Sequence, residues 1–145
     1  MAPKRRILVP IDDSDRSTTA LEFALDTHPE ETIVALHVID PAEYPSGGIE
    51  AGTVVDFERF REEYEAQGER LLEGAESLAS EADVEIETVL ETGRPARTIV
   101  SYADTEDVDH IVMGSRGRTG ASRILLGSVA EAVTRRSPVP VTVVR

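Results

Sequence analysis

The sequence predicts an α/β domain, a three-layer sandwich in which helices cover both faces of a five-stranded parallel sheet. Three observations carry that expectation. Short runs rich in Val, Ile and Leu, of the length of buried strands, alternate with amphipathic stretches along the chain. The hydrophobic share is 40% with only 4% aromatic residues, which describes a core of Val, Ile, Leu and Ala. A length of 145 residues suits one domain with a core of its own, so residues 1–145 are read as a single unit with right-handed crossovers.

The first run, RRILVPID, fits a buried strand ended by Pro10, which has no amide hydrogen to continue a ladder. Ser14 or Asp15 then caps a helix with Leu21, Ala24, Leu25 and His28 at helical spacing. The run 32–40, TIVALHVID, is β-branched and continuous, hence a second buried strand. PAEYPSGGIEAG is a loop by its Pro and Gly content, and Tyr44 with residues 46–48 reads as an ordinary mobile loop rather than a cover for a ligand. A long helix is expected over 53–82, with Phe57, Phe60, Tyr64, Leu71, Ala75 and Leu78 on one face and Gly68 and Gly74 weakening it. The alternation of 85–91, EIETVLE, suits a strand near a sheet edge. Gly93 breaks the chain, Pro95 opens a helix, and Ala96, Ile99, Val100 and Ala103 form its apolar stripe. VDHIVMG is the fourth strand. A helix over 128–136 has Glu131 early and Arg135 and Arg136 late, the order its dipole favours, and 139–144, VPVTVV, is the last strand.

Composition excludes several classes of function. With no cysteine there are no disulfides, thiolate nucleophiles or sulfur-bound metals. The opening MAPKRRILVPID is too short in apolar residues for a signal peptide or a membrane span, so a cytoplasmic location without membrane partners is expected. A net charge of -13 argues against nucleic acid as a partner, because neutralising phosphates needs surplus cations. Lys4 is the only lysine, and such acidity suits a high-salt cytoplasm. His28, His37 and His110 are too dispersed for a local metal motif, and His37 is expected to pack within its strand. The Glu and Arg face of the long helix reads as solvated surface.

In a parallel sheet, ligands sit beyond the carboxyl ends of the strands where strand order reverses, which marks the chain after Val9, His37 and Met113. The third place opens the run 113–128, MGSRGRTGASRILLGS. Uniform spacing of 28 acids would put about four in any twenty residues, yet 111–130 holds none and carries Arg116, Arg118 and Arg123 instead. Gly114, Gly117, Gly120 and Gly127 allow close backbone approach to an oxyanion, and Ser128 falls where a helix begins, with free amides behind it. Gly-rich turns of this kind also occur without ligands. A P-loop is excluded because the sole lysine is at position 4, and a dinucleotide fingerprint because the first turn, PIDDSD, has no glycine.

Gly114, two residues, Gly117, nine residues, then Gly127 and Ser128 resembles the nucleotide motif of the ATP-binding branch of the universal stress protein family. The likeness extends through ILVPIDDS, ALHVID, DHIVMGSRG and SPVPVTVVR, essentially the whole chain. The resemblance implies strand order 3-2-1-4-5 and ATP across the ends of strands 2, 1 and 4. It implies Pro10, Ile11 and Asp12 beside the nucleoside, with Asp12 on the ribose, and Val38 meeting adenine through its backbone. Met113 would pack near the ligand, Gly114 and Gly117 would give amides to the phosphates with Arg116 beside them, and Gly127, Ser128 and Val129 would close the site. Mg2+ or Mn2+ would enter with the triphosphate, held by phosphate oxygens and Ser128. Asp12 has a rival in Asp13 and an alternative role as helix N-cap.

The leading reading is an ATP-binding regulatory or stress-response protein with at most slow hydrolysis, since no residue is assigned to orient an attacking water. Alternatives are a slow ATPase or phosphotransferase using Ser128 or Asp12, and an interaction protein that has lost its nucleotide. The apolar alternation of PVPVTVV suits an exposed edge strand, and the resemblance implies a homodimer joined there.

Overall fold

The computed structural model describes residues 3–45, 55–115 and 126–145, with the side chains of 55 and 56 excepted. The order of elements is β1 (Arg6–Pro10), α1 (Asp15–Thr27), β2 (Thr32–Ile39), a 3-10 turn (Pro41–Glu43), α2 (Val55–Glu81), β3 (Ile86–Thr92), α3 (Pro95–Thr105), β4 (His110–Gly114), α4 (Ser128–Arg136) and β5 (Val141–Val144). All five strands join one parallel sheet in the order β3-β2-β1-β4-β5. The expected fold class and strand order are therefore observed.

Alternate side chains of the central strands go to opposite faces, and each face has its own helical cover. Ile7, Val9, Ile33, Ala35 and Val112 meet Leu21 and Leu25 of α1 and Leu72, Ala75 and Ala79 of α2. Leu8, Val34, Leu36, Ile111 and Met113 meet Ile99 and Ala103 of α3 and Ala130 and Val133 of α4. Because β1, β2 and β4 are covered on both sides, their sequences read as unbroken apolar runs rather than alternations. Fully burying each Leu or Ile contributes roughly 1.5–3 kcal/mol.

Several boundaries differ from expectation for identifiable reasons. β2 stops at Ile39 because Asp40 turns away to cap the 3-10 turn, its carboxylate accepting from the Ala42 amide at 2.9 Å. β5 starts at Val141, not at 139: Pro140 has no N–H to give, although its carbonyl accepts from Ile111 N at 3.0 Å. Val108 and Asp109 precede β4, and the Asp109 carboxylate instead accepts from the Arg6 amide at 2.8 Å. His28 is not on the helical stripe; it is the C-cap of α1, with φ -129°.

The apolar face of α2 divides into two halves with different partners. Its buried hydrophobic residues are Leu72, Ala75 and Ala79, with Leu71 and Leu78 partly covered. Phe57 is 53% exposed and sits outside the core. The amino-terminal half of α2 uses its aromatics against Tyr44, whose ring centroid lies 4.9 Å from Tyr64, 5.3 Å from Phe57 and 6.2 Å from Phe60. The Tyr64 hydroxyl donates to the Glu43 carbonyl at 3.1 Å, so the turn after β2 is tied to α2.

Gly68 and Gly74 do different things. A Cβ on Gly68 would lie 2.7 Å from Leu90 Cδ1 and 2.9 Å from His37 Cδ2, so the missing side chain lets α2 approach β2 and β3. Nothing lies within 4 Å of a Cβ on Gly74. No described helix is long and apolar enough to cross a membrane.

Candidate functional site

Strand order reverses at β1, which has β2 on one side and β4 on the other. Beyond the carboxyl ends of these strands lies a cavity of about 600 Å³. The first turns of α1, α3 and α4 all border it through Ser14 and Arg16, Pro95 and Ala96, and Ser128 and Val129. Each of these helix starts carries unpaired amides and a partial positive charge.

The turn after β1 is the most heavily bonded part of the site. Asp12 Oδ1 accepts from the amide of Ser14 at 2.8 Å and also from its hydroxyl. Ser14, not Asp12 or Asp15, is the N-cap of α1, its oxygen accepting from Ser17 N at 3.3 Å. The Ser17 hydroxyl, buried beneath the turn, reaches the carbonyls of Asp12 and Ser14 at 3.0 and 3.1 Å. Asp12 is thereby oriented by the cap without being the cap, while Asp13 is exposed.

His37 fastens this turn to the neighbouring strand. Its Nδ1 is 2.6 Å from the Ile11 carbonyl, and Ile11 N donates to Leu36 O at 2.8 Å. With a carbonyl as partner, Nδ1 is the protonated nitrogen.

At the β4 end, a Cβ on Gly114 would lie 2.5 Å from the carbonyl oxygen of Arg16. Glycine is required there because the first turn of α1 crosses directly over it. Gly127 is the N-cap of α4 at φ -63°, a conformation open to any residue, and makes no side-chain cap. At Gly114 this contact is a steric reason for glycine in its own right. Ser128 is the first residue of α4.

Of the residues singled out from the sequence, Pro10, Ile11 and Asp12 line the cavity from β1, and Val38 from β2. Met113, Gly114, Ser128 and Val129 line the opposite side. Arg116 and Gly117 lie outside the described residues, as do Arg118, Gly120 and Arg123. No group of three or more His, Asp or Glu suited to a metal occurs among the described residues.

The charged and imidazole-bearing lining residues Arg16, His37, Asp40 and Arg94 were not singled out from the sequence as site residues. The rule that ligands gather at carboxyl ends of strands, applied to Gly93 and Pro95 as well, would have pointed to Arg94. Arg16 gives no such signal, because only the fold brings α1 over Gly114.

A parallel sheet covered on both faces by helices, with a cavity at its switch point floored by a bonded Asp turn and faced by a Gly-Ser helix start, belongs to the doubly wound α/β architectures. Comparison with known proteins narrows the class. The sequence profile described as "Universal stress protein family" matches residues 4–145, and the chain belongs to that family. Universal stress protein MJ0531 of Methanocaldococcus jannaschii is 36% identical over 97% of this chain and 82% of its own length. Universal stress protein UspA from Lactobacillus plantarum superposes with a TM-score of 0.81 at 24% identity, covering 100% of both chains. The universal stress protein of Archaeoglobus fulgidus in complex with dAMP matches at TM-score 0.70 and 25% identity, over 100% of each chain. A universal stress protein in complex with cAMP matches at 0.71 and 25%, over 99% of each chain.

Proposed function

We propose that the protein is an ATP-binding regulatory protein of the stress response that works in the cytoplasm as a single nucleotide-binding domain. The observation that carries this reading is the cavity itself: an oriented carboxylate, Asp12, on one side and on the other the helix start at Ser128, whose N-cap Gly127 makes no side-chain cap. A carboxylate can accept from ribose hydroxyls, and free amides at a helix start suit phosphate. The relatives bound to dAMP and cAMP support an adenine nucleotide as ligand.

In this reading Asp12 takes the ribose, the backbone of Val38 meets the base, Met113 packs near the ligand, and Gly127, Ser128 and Val129 close over the phosphates. Arg116 and Gly117 of the connecting loop complete the anion site. Mg2+ or Mn2+ arrives with ATP, held by phosphate oxygens and Ser128. ATP biases conformation or partner choice, and turnover is slow.

Mass spectrometry of small molecules released from denatured, freshly purified protein tests this directly, followed by calorimetric titration with ATP. Saturable ATP binding with negligible phosphate release is expected. Absence of binding overturns the reading. Steady phosphate release that Ser128→Ala abolishes without loss of affinity would replace it with an ATPase or phosphotransferase.

We further propose a homodimer joined along β5. Among the described residues β5 pairs only with β4, and all four of its residues are half-buried, leaving one edge of apolar alternation for a second copy. Sedimentation as a monomer at micromolar concentration overturns this.

A further inference from the structure

The cavity is lined with charge in an uneven way. Asp12, Asp13, Asp40 and Glu43 border it from the ends of β1 and β2 and the turn that follows β2. The lining contributed by β4 and α4, which is Met113, Gly114, Ser128, Val129 and Ala130, holds no acid. Arg94 offsets one of these four acids, so an anion is less favoured at that end than at the other.

Arg16 occupies the more favoured end. The contact of its carbonyl with Gly114 fixes its main chain there, and its Cβ would be 2.8 Å from a Cβ on Gly114. The side chain thus starts beside the end of β4, and Arg16 is half-buried and lines the cavity. Helix stability does not account for an arginine at this place. Arg16 is the second residue of α1, and a cation in the first turn opposes the helix dipole. Nor does it serve an ion pair among the described residues, whereas Arg6, Arg59, Arg61 and Arg135 each have a glutamate partner.

We propose that Arg16 is a specificity-determining residue that holds the nucleotide's phosphates from α1, so that affinity rises with phosphate number and the phosphates point toward β4. This rests on the nucleotide reading given above and adds a side-chain cation to the main-chain amides.

The test is calorimetric titration of the full chain with adenosine, AMP, ADP and ATP, comparing wild type, Arg16→Gln, Arg16→Lys and Arg136→Gln. Arg136 is exposed at the far end of α4 and reports the effect of net charge alone. Arg16→Gln is expected to weaken ATP about tenfold, as loss of a charge-assisted contact does, and to leave adenosine unchanged. Arg16→Lys, which keeps the charge, should recover most of the ATP affinity, and added salt should weaken ATP but not adenosine in the wild type. Equal losses for adenosine and ATP, no loss, or a loss matched by Arg136→Gln would overturn the assignment while leaving nucleotide binding intact. A wild type that binds none of the four sinks both readings.

Discussion

The Nδ1 atom of His37 lies 2.6 Å from the carbonyl oxygen of Ile11, joining β2 to the turn that carries Asp12. The same ring is backed by Gly68 of α2, where a Cβ would come within 2.9 Å of Cδ2. One histidine therefore connects the helical layer, the sheet and the cavity wall.

Removal of that bond leaves the Ile11 carbonyl without its side-chain partner. His37→Leu is expected to lower stability by about 1–2 kcal/mol and to weaken nucleotide binding through a loosened Asp12 turn. Urea unfolding measures the first effect and titration the second; unchanged values for both would refute the coupling.

The two glycines of α2 predict opposite signs for the same substitution. Gly74→Ala should stabilise by roughly 0.5–1 kcal/mol, since the helix gains an alanine in open space. Gly68→Ala must displace Leu90 or the bonded His37 ring, and overpacking of that kind costs about 1–3 kcal/mol, more than the helical gain. Thermal melts of both variants give the comparison.

Ser14 combines a cap with the orientation of Asp12. Ser14→Ala should lose about 1 kcal/mol of stability for the cap. Its nucleotide affinity should fall more than that of Thr19→Ala, whose hydroxyl donates to the Asp15 carbonyl within the same helix. Equal affinities would show that the Asp12 contact does not matter to the ligand.

His110 gives a pH dependence. Burial, then His28 and Arg5, hold its imidazole below the usual 6.5, and its Nε2 lies 2.7 Å from Thr142 Oγ1. The unfolded chain therefore binds the proton more readily than the folded one. This contribution is complete above pH 6.5 and is lost as pH falls through the folded value. The urea midpoint should drop across that window, and His110→Gln should flatten the slope.

Much of the fold was legible because the central strands are buried on both faces and so appear as continuous β-branched runs. The helix 128–136 coincides with its expected bounds because its charges agree with its dipole. In the aromatic half of α2, periodicity places Phe57, Phe60 and Tyr64 on one face but does not say whether the sheet or Tyr44 lies against it. The cavity lining was legible at strand ends and a helix start, at Asp12, Gly114 and Ser128. It was not where residues 98 positions apart converge, as Arg16 and Gly114 do, since that proximity is created by packing α1 across β4.

The grouping of Tyr44 with Tyr64 has an optical consequence. The chain has three tyrosines and no tryptophan, so these two provide most of its intrinsic chromophore. They flank the 41–43 turn whose Ala42 and Glu43 form the cavity rim, with Tyr102 apart on α3. Ultraviolet emission from this molecule is a native gauge of events at that rim, available without any attached dye.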